Sequence, residues 1–268
     1  MEVTREAFKL LEKIREKRPL VHAISNMVTA NVTANALLQI GGLPVMADSE
    51  MEVEDVVRKA DALVLNMGMI NEEKRKAILK AGKAANRTKI PIILDPVGVG
   101  SSKFRNETIK ALLDAVDVAI IRCNLGEASF LGGLGGKVKG VESDTDDIDP
   151  QEAATLLSKR YRAVAAVTGK HDYITDGYEG CRLSNGHPFM SRITGSGCMS
   201  SAVVGAFAAV SRDYWLAAAA ALMCFGTAGE LAGEKSVGPG SFSVSFMDSL
   251  FDLDEYALCK RGKGVLVK

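Results

Sequence analysis

Six short runs of apolar and β-branched residues recur along the chain: LVHAIS from Leu20, LPVMA from Leu43, ALVLNMG from Ala62, IPIILDPVG from Ile90, VAIIRCN from Val118 and AVAAVTG from Ala163. Between most of them the apolar residues fall at helical spacing, over Val28 to Leu38, Glu72 to Ala85, Asn106 to Ala115 and Pro150 to Tyr161. Such an alternation predicts an α/β fold with a mainly parallel central sheet covered by helices on both faces. After the sixth run, HDYITDGYEGCRLSNGHP sets Asp-Gly and Asn-Gly turns between short strands and predicts an antiparallel edge. From Cys198 to about Lys260 the residues read as helices rich in Ala, Gly and Met, interrupted by KSVGPGSFS, where Gly238 and Gly240 predict a turn.

No internal repeat, low-complexity tract or Pro/Ser-rich linker divides the 268 residues, so one domain over 1–268 is expected. Thirty-three basic and thirty-three acidic side chains cancel, with no basic stripe and few aromatics, which argues against a nucleic-acid partner and for a small ligand. Five scattered cysteines with no C-x-x-C pair fit reduced thiols in a cytoplasm. Of these, Cys181, Cys224 and Cys259 read as buried packing residues. The first residues are charged and helical in period, unlike a secretory signal. The most apolar run, WLAAAAALMCFG, is about half the roughly 20 residues that a membrane span needs, and predicts a buried helix with no membrane association.

Ligands of parallel sheets collect beyond the carboxyl ends of the strands, so the residues there carry the functional reading. One strand ends at Asn66-Met67-Gly68, the next at Asp95 before PVGVG, the next at Arg122 and Asn124 with Glu127 three residues on, and the sixth at Thr168-Gly169. Two carboxylates, an arginine, a threonine and a glycine-rich helix start together suit a magnesium-bound triphosphate. Singly they say less. Asp95 is equally compatible with a helix cap or turn, Glu127 with a first-turn helix carboxylate, and Thr168 with an ordinary strand end. Arg122, at the end of an apolar strand, needs an anionic partner or an exit to water. His22, His171 and His187 are expected to be structural or surface residues. The acidic run ESDTDDIDP lacks the glycine and terminal glutamate of a calcium loop and predicts a solvated loop leading to a helix.

The glycine-rich start is ITGSGCMSSA, Ile193 to Ala202, where two glycines precede a long run of small and apolar residues. A helix N-terminus presents unpaired N–H groups and partial positive charge, and glycines let another group approach the backbone. The amides of Gly195, Ser196, Gly197 and Cys198 are therefore expected to hold a phosphoryl group, with the glycines making room for it.

Taken in order, PLVHAISNMVTANVTAN, GGLPVMADSEMEVED, ALVLNMG, ILDPVGVGSS, IRCNLGE, AVTGKHDYITDG, TGSGCMSSA and GPGSFSVSFMDSL resemble the hydroxyethylthiazole kinases of thiamine salvage, within the ribokinase-like superfold. The resemblance implies ATP as co-substrate, Mg²⁺ as cofactor and a thiazole alcohol as acceptor. It implies that Met46 and Gly195 border that alcohol, with Asn26 and Gly68 in motifs that look like pocket lining. Arg122, Thr168 and Thr194 would contact ATP, while Asn124 and Glu127 match the superfold's N-x-x-E element, which with Asp95 organises the metal, partly through water. A homotrimer with active sites between subunits is implied too. One departure is Cys123, where the element is expected to carry a small glycine.

Cys198 stands where most ribokinase-like kinases have an aspartate. A thiol lowered at a helix N-terminus could accept a proton near neutrality. Phosphoryl transfer through a loose transition state needs little base strength, so Cys198 is expected chiefly to orient the alcohol. Competing readings are a kinase of a pyridine or pyrimidine alcohol, an ATP- or ADP-dependent dehydratase of hydrated nicotinamide nucleotides, and a non-catalytic nucleotide-binding regulator.

Overall fold

Each of the six apolar runs forms a strand: β1 (Leu20–Ile24), β2 (Leu43–Val45), β3 (Ala62–Asn66), β4 (Ile92–Asp95), β5 (Ile120–Asn124) and, after a small hairpin of β6 (Lys137–Lys139) and β7 (Glu142–Asp144), β8 (Val164–Thr168). The structure is a computed structural model that describes residues 2–134, 137–139, 142–144 and 148–267. β9 (Asp172–Thr175), β10 (Gly180–Leu183) and β11 (Gly264–Val267) complete a nine-stranded sheet of order β11-β10-β9-β8-β5-β4-β3-β1-β2. The segment from β2 to β8 is parallel and β9 to β11 are antiparallel. β11 follows the segment from Cys198 to about Lys260 that reads as helices, at positions to which the sequence reading assigns no element. Its partner β10 lies some 80 residues earlier, so no local turn signals the pairing.

The helices are α1 (Glu2–Lys17), α2 (Ala30–Gln39), α3 (Val53–Val57), α4 (Glu72–Thr88), α5 (Lys103–Ala115), α6 (Leu125–Gly132), α7 (Pro150–Tyr161), α8 (Ser196–Val210), α9 (Tyr214–Glu234), α10 (Pro239–Phe251) and α11 (Glu255–Arg261). Strand residues alternate between two cores, as the two-residue period of a strand requires. Val64, Ile93, Ile120 and Ala166 pack with α1, α8 and α9, whereas Leu65, Ile92, Ile121 and Val167 pack with the helices on the opposite face. Burial on both faces explains why these strands are apolar throughout.

α9 runs 21 residues, longer than its apolar segment suggests, and it is long and apolar enough to cross a membrane by length and composition. Most of it is buried inside the protein, as a core helix. Within KSVGPGSFS the turn is brief, because Pro239 opens α10 and Gly238 is extended at φ −175°, a conformation open to any residue. The acidic run begins in β7, and its residues 145–147 lie outside the described residues. Asp149 then caps α7 by accepting from Gln151 N–H at 2.9 Å. Cys181 and Cys224 are buried as expected; Cys259 is exposed on the short α11, contrary to its packing assignment.

Candidate active site

The winding direction of the sheet reverses around β1, since β2 lies on one side of it and β3 to β8 on the other. Such a switch point opens a crevice at the carboxyl ends of the strands. Asn26 follows β1, Asn66 ends β3, Asp95 ends β4, and α8 brings Cys198 and Ser201 against them. Asn66 is the hub. Its Nδ2 donates to Asp95 Oδ2 at 2.8 Å and to Cys198 Sγ at 3.2 Å. Its Oδ1 accepts from Asn26 Nδ2 at 3.0 Å and from Gly68 N–H at 2.9 Å. Ser201 Oγ donates to Asp95 Oδ2 at 2.9 Å, and Asn26 Nδ2 also reaches Cys198 Sγ at 3.5 Å. A buried network in which every amide group has a partner fixes its members in one arrangement.

The helix start behaves only in part as the sequence suggests. The first main-chain bond of α8 runs from Met199 N–H to Gly195 C=O at 2.8 Å, leaving the N–H groups of Ser196, Gly197 and Cys198 outside the helical ladder. The two glycines, however, answer to neighbours within the protein. Gly195 sits at φ +89°, and a Cβ there would lie 2.9 Å from Val32 Cγ2. A Cβ on Gly197 would lie 2.7 Å from Arg122 Nη1. The backbone at these two glycines is thus closely approached by α2 and by the arginine.

Arg122 leaves β5 beside Thr168 on the adjacent β8, where Nη2 donates to Thr168 Oγ1 at 2.5 Å. Its Nη1 is 3.8 Å from Asp95 Oδ1, and its Nε is buried with no hydrogen-bond partner. Arg122 and Thr168 line a cleft of about 740 Å³ together with Gly195, Ser196, Gly197, Leu222 and Phe225. Thr194 is exposed and is not among the lining residues. Met46, Asn26 and Gly68 lie outside this cleft, on the loops that follow β2, β1 and β3. Met46 is half-buried against the core, and Gly68 cannot carry a side chain, since a Cβ would lie 2.8 Å from Asn26 Nδ2 and from Asn66 Oδ1.

Asn124 and Glu127 form a capping box at the start of α6. Asn124 Oδ1 accepts from Glu127 N–H at 2.9 Å, while Glu127 Oε2 accepts from Asn124 N–H at 3.0 Å and Oε1 from Gly98 N–H at 2.8 Å. Burial, and then the charge of Asp95, push the Glu127 carboxyl up to about 7; burial also raises Asp95, against the pull of Arg122. Two buried carboxylates that repel one another fit a divalent cation, which would relieve both. Among the described residues no group of three or more His, Cys, Asp or Glu could hold a metal. Cys123 is fully buried within β5, and its thiol is raised well above its usual value by burial.

Cys198 departs from expectation in its acidity. Burial, and then the Asp95 charge, raise the thiol against the opposing influence of Thr29, Arg122 and the Asn66 amide. A thiol so placed stays protonated at neutral pH, which corrects the reading of it as a lowered proton acceptor. His22 is buried in β1 with Nε2 2.7 Å from Ala47 C=O; His171 is exposed beside Ser184; His187 caps the 3₁₀ turn Pro188–Arg192 and stacks on Phe242.

Sequence reasoning notes Asn66 only as a strand end, although a polar residue closing an otherwise apolar strand is a usable signal. Asp172 was missed as well. It lines the cleft, accepts from Gly169 N–H at 3.0 Å, and is raised to about 6 by burial. Ser201 has a weaker signal, its position one helical turn beyond Cys198.

Residues 11–256 match the model of the hydroxyethylthiazole kinase family. A hydroxyethylthiazole kinase of Thermoanaerobacter pseudethanolicus is 49% identical over 91% of this chain and 94% of its own length. One from Desulfatibacillum aliphaticivorans is 46% identical over 95% of each. The solved structure of the hydroxyethylthiazole kinase protein of Pyrococcus horikoshii OT3 superposes with a TM-score of 0.91 at 37% identity, covering 98% of this chain and all of that one. A pyridoxal kinase of Staphylococcus aureus, solved with AMP-PCP and pyridoxal, has a TM-score of 0.59 at 17% identity over 79% of this chain and 87% of its own, a likeness of fold alone.

Proposed function

The chain belongs to the hydroxyethylthiazole kinase family, and from that premise we propose that residues 1–268 act as one kinase domain that transfers the γ-phosphoryl group of ATP to the primary alcohol of 4-methyl-5-(2-hydroxyethyl)thiazole. The observation that carries this reading is the position of the α8 N-terminus. It stands between a cleft of nucleotide size and the amide-lined wall of Asn26, Asn66 and Gly68. A phosphorus atom at Gly195 to Cys198 would have the cleft behind it and an acceptor pocket, bordered by Met46, in front.

In this mechanism Arg122, braced by Thr168, counters charge on the phosphates, and the N–H groups of Ser196, Gly197 and Cys198 meet the charge that develops on the transferred group. Asp95 and Glu127 are the residues that would hold Mg²⁺, which neutralises phosphate charge when bound. Cys198, oriented by the amides of Asn66 and Asn26, positions the alcohol. Its raised pKa disfavours the thiolate that could accept a proton, which is tolerable because the nucleophile's proton leaves late in a loose transition state.

The same reading includes a homotrimer with active sites between subunits. Met27 (84% exposed), Met51 (91%) and Met69 (54%) stand on the loops after β1, β2 and β3, around the proposed acceptor pocket, and an apolar rim of that kind suits subunit contact. Five free thiols support a reducing, cytoplasmic setting. The test is an ADP-release assay across a panel of thiazole, pyridine and pyrimidine alcohols. The thiazole alcohol should be turned over best; ATP binding without turnover of any alcohol would contradict the proposal.

A further inference from the structure

Lys74 stands where a cation is disfavoured. It is only 8% exposed, and it lies in the first turn of α4, where the helix dipole opposes positive charge. Burial, with a smaller contribution from the Arg105 charge, lowers its ammonium to about 8 against the opposing charges of Asp48 and Cys198. Glu72 and Glu73 precede it in the same turn, but Glu72 pairs with Arg75 at 3.3 Å. A lysine whose only task was solubility would lie on the outer face of this helix.

Its Nζ instead donates to Ser25 C=O at 2.5 Å and to Gly68 C=O at 3.0 Å. Ser25 follows β1 and precedes Asn26, Asp48 belongs to the loop after β2 that carries Met46, and Gly68 follows β3. One side chain thus ties two of the three loops that surround the switch point by hydrogen bonds and attracts the third by charge. An ammonium has three N–H donors and no acceptor, so it can hold two carbonyl oxygens at once, which no apolar side chain of similar length can do.

We propose that Lys74 is a positioning residue that sets the three acceptor-pocket loops, and so places the alcohol beside Cys198. This rests on the reading of those loops as the acceptor pocket. Nucleotide contacts come from β5, β8 and α8, so Lys74 acts on the acceptor side only.

Steady-state kinetics on Lys74→Met and Lys74→Arg, varying the thiazole alcohol and ATP separately, test the proposal. In Lys74→Met the KM for the alcohol should rise about tenfold or more while the KM for ATP stays within about twofold, and Lys74→Arg should recover part of the loss. In the unaltered enzyme the alcohol's KM should rise above a pH of about 8, where Lys74 loses its charge, with no matching rise for ATP. A folded Lys74→Met with an unchanged alcohol KM, or with both KM values raised together, would overturn the assignment. If that variant does not fold, a flat alcohol KM across the same pH range overturns it. Absence of turnover by the unaltered enzyme would instead overturn the functional reading, and this inference with it.

Discussion

The guanidinium of Arg122 fills the space that a side chain on Gly197 would need, with Nη1 2.7 Å from the position of the missing Cβ. The two residues are far apart in sequence, yet each sets a condition on the other. Because the obstructing atom is the end of a flexible side chain, the arginine and not the backbone would yield. Gly197→Ala should therefore leave the Tm unchanged or raise it slightly, since alanine favours helix over glycine by about 0.5–1 kcal/mol. The KM for ATP should rise about tenfold as Arg122 is displaced. Thermal melts beside nucleotide-dependent kinetics separate the two effects.

Asn66→Asp tests the buried network. The substitution replaces an amide that donates to Asp95 Oδ2 at 2.8 Å with a second carboxylate at that distance. Stability at neutral pH should fall by about 3 kcal/mol, the scale for breaking a buried charged hydrogen bond. Urea unfolding measures it, and a loss below about 1 kcal/mol would show that the network is dispensable.

Cys198→Asp should keep turnover or raise it, because a carboxylate accepts from the same Asn66 and Asn26 amides and adds a base. Cys198→Ala should retain measurable activity, since positioning and charge carry most of the rate. ADP release by both variants decides the matter; a folded, inactive Asp variant would count against the account.

His22 gives a prediction about pH. Burial lowers its pKa below 6.5, against the Ala47 carbonyl and the Glu52 charge. A group depressed in this way contributes stability above its unfolded value, and that contribution is lost as pH falls through the folded value. His22→Gln should accordingly show a shallower fall of Tm between about pH 7 and pH 5 than the unaltered chain. Equal slopes would place the acid sensitivity elsewhere.

The parallel strands and the polar residues at their ends were legible because both follow from local pattern. Burial on two faces makes β3, β4 and β8 apolar throughout, and a sheet of that kind must present its chemistry where the strands stop. What escaped depends on distant partners. β11 pairs with a strand some 80 residues earlier. The close approach of Arg122 to Gly197 and the raising of the Cys198 thiol by burial and Asp95 both depend on residues far away in sequence. Lys74 sits in EEKRK, a run that reads as a solvated helix face until Ser25 and Gly68 are seen to converge on its Nζ.

A crystal structure with the thiazole alcohol and a non-hydrolysable ATP analogue tests the central claim most directly. The account predicts the γ-phosphorus against the N–H groups at the start of α8, with Arg122 on the phosphates and the hydroxyl between that phosphorus and Cys198. A nucleotide bound elsewhere, with the amides of Gly195 to Cys198 turned only to water, would contradict it.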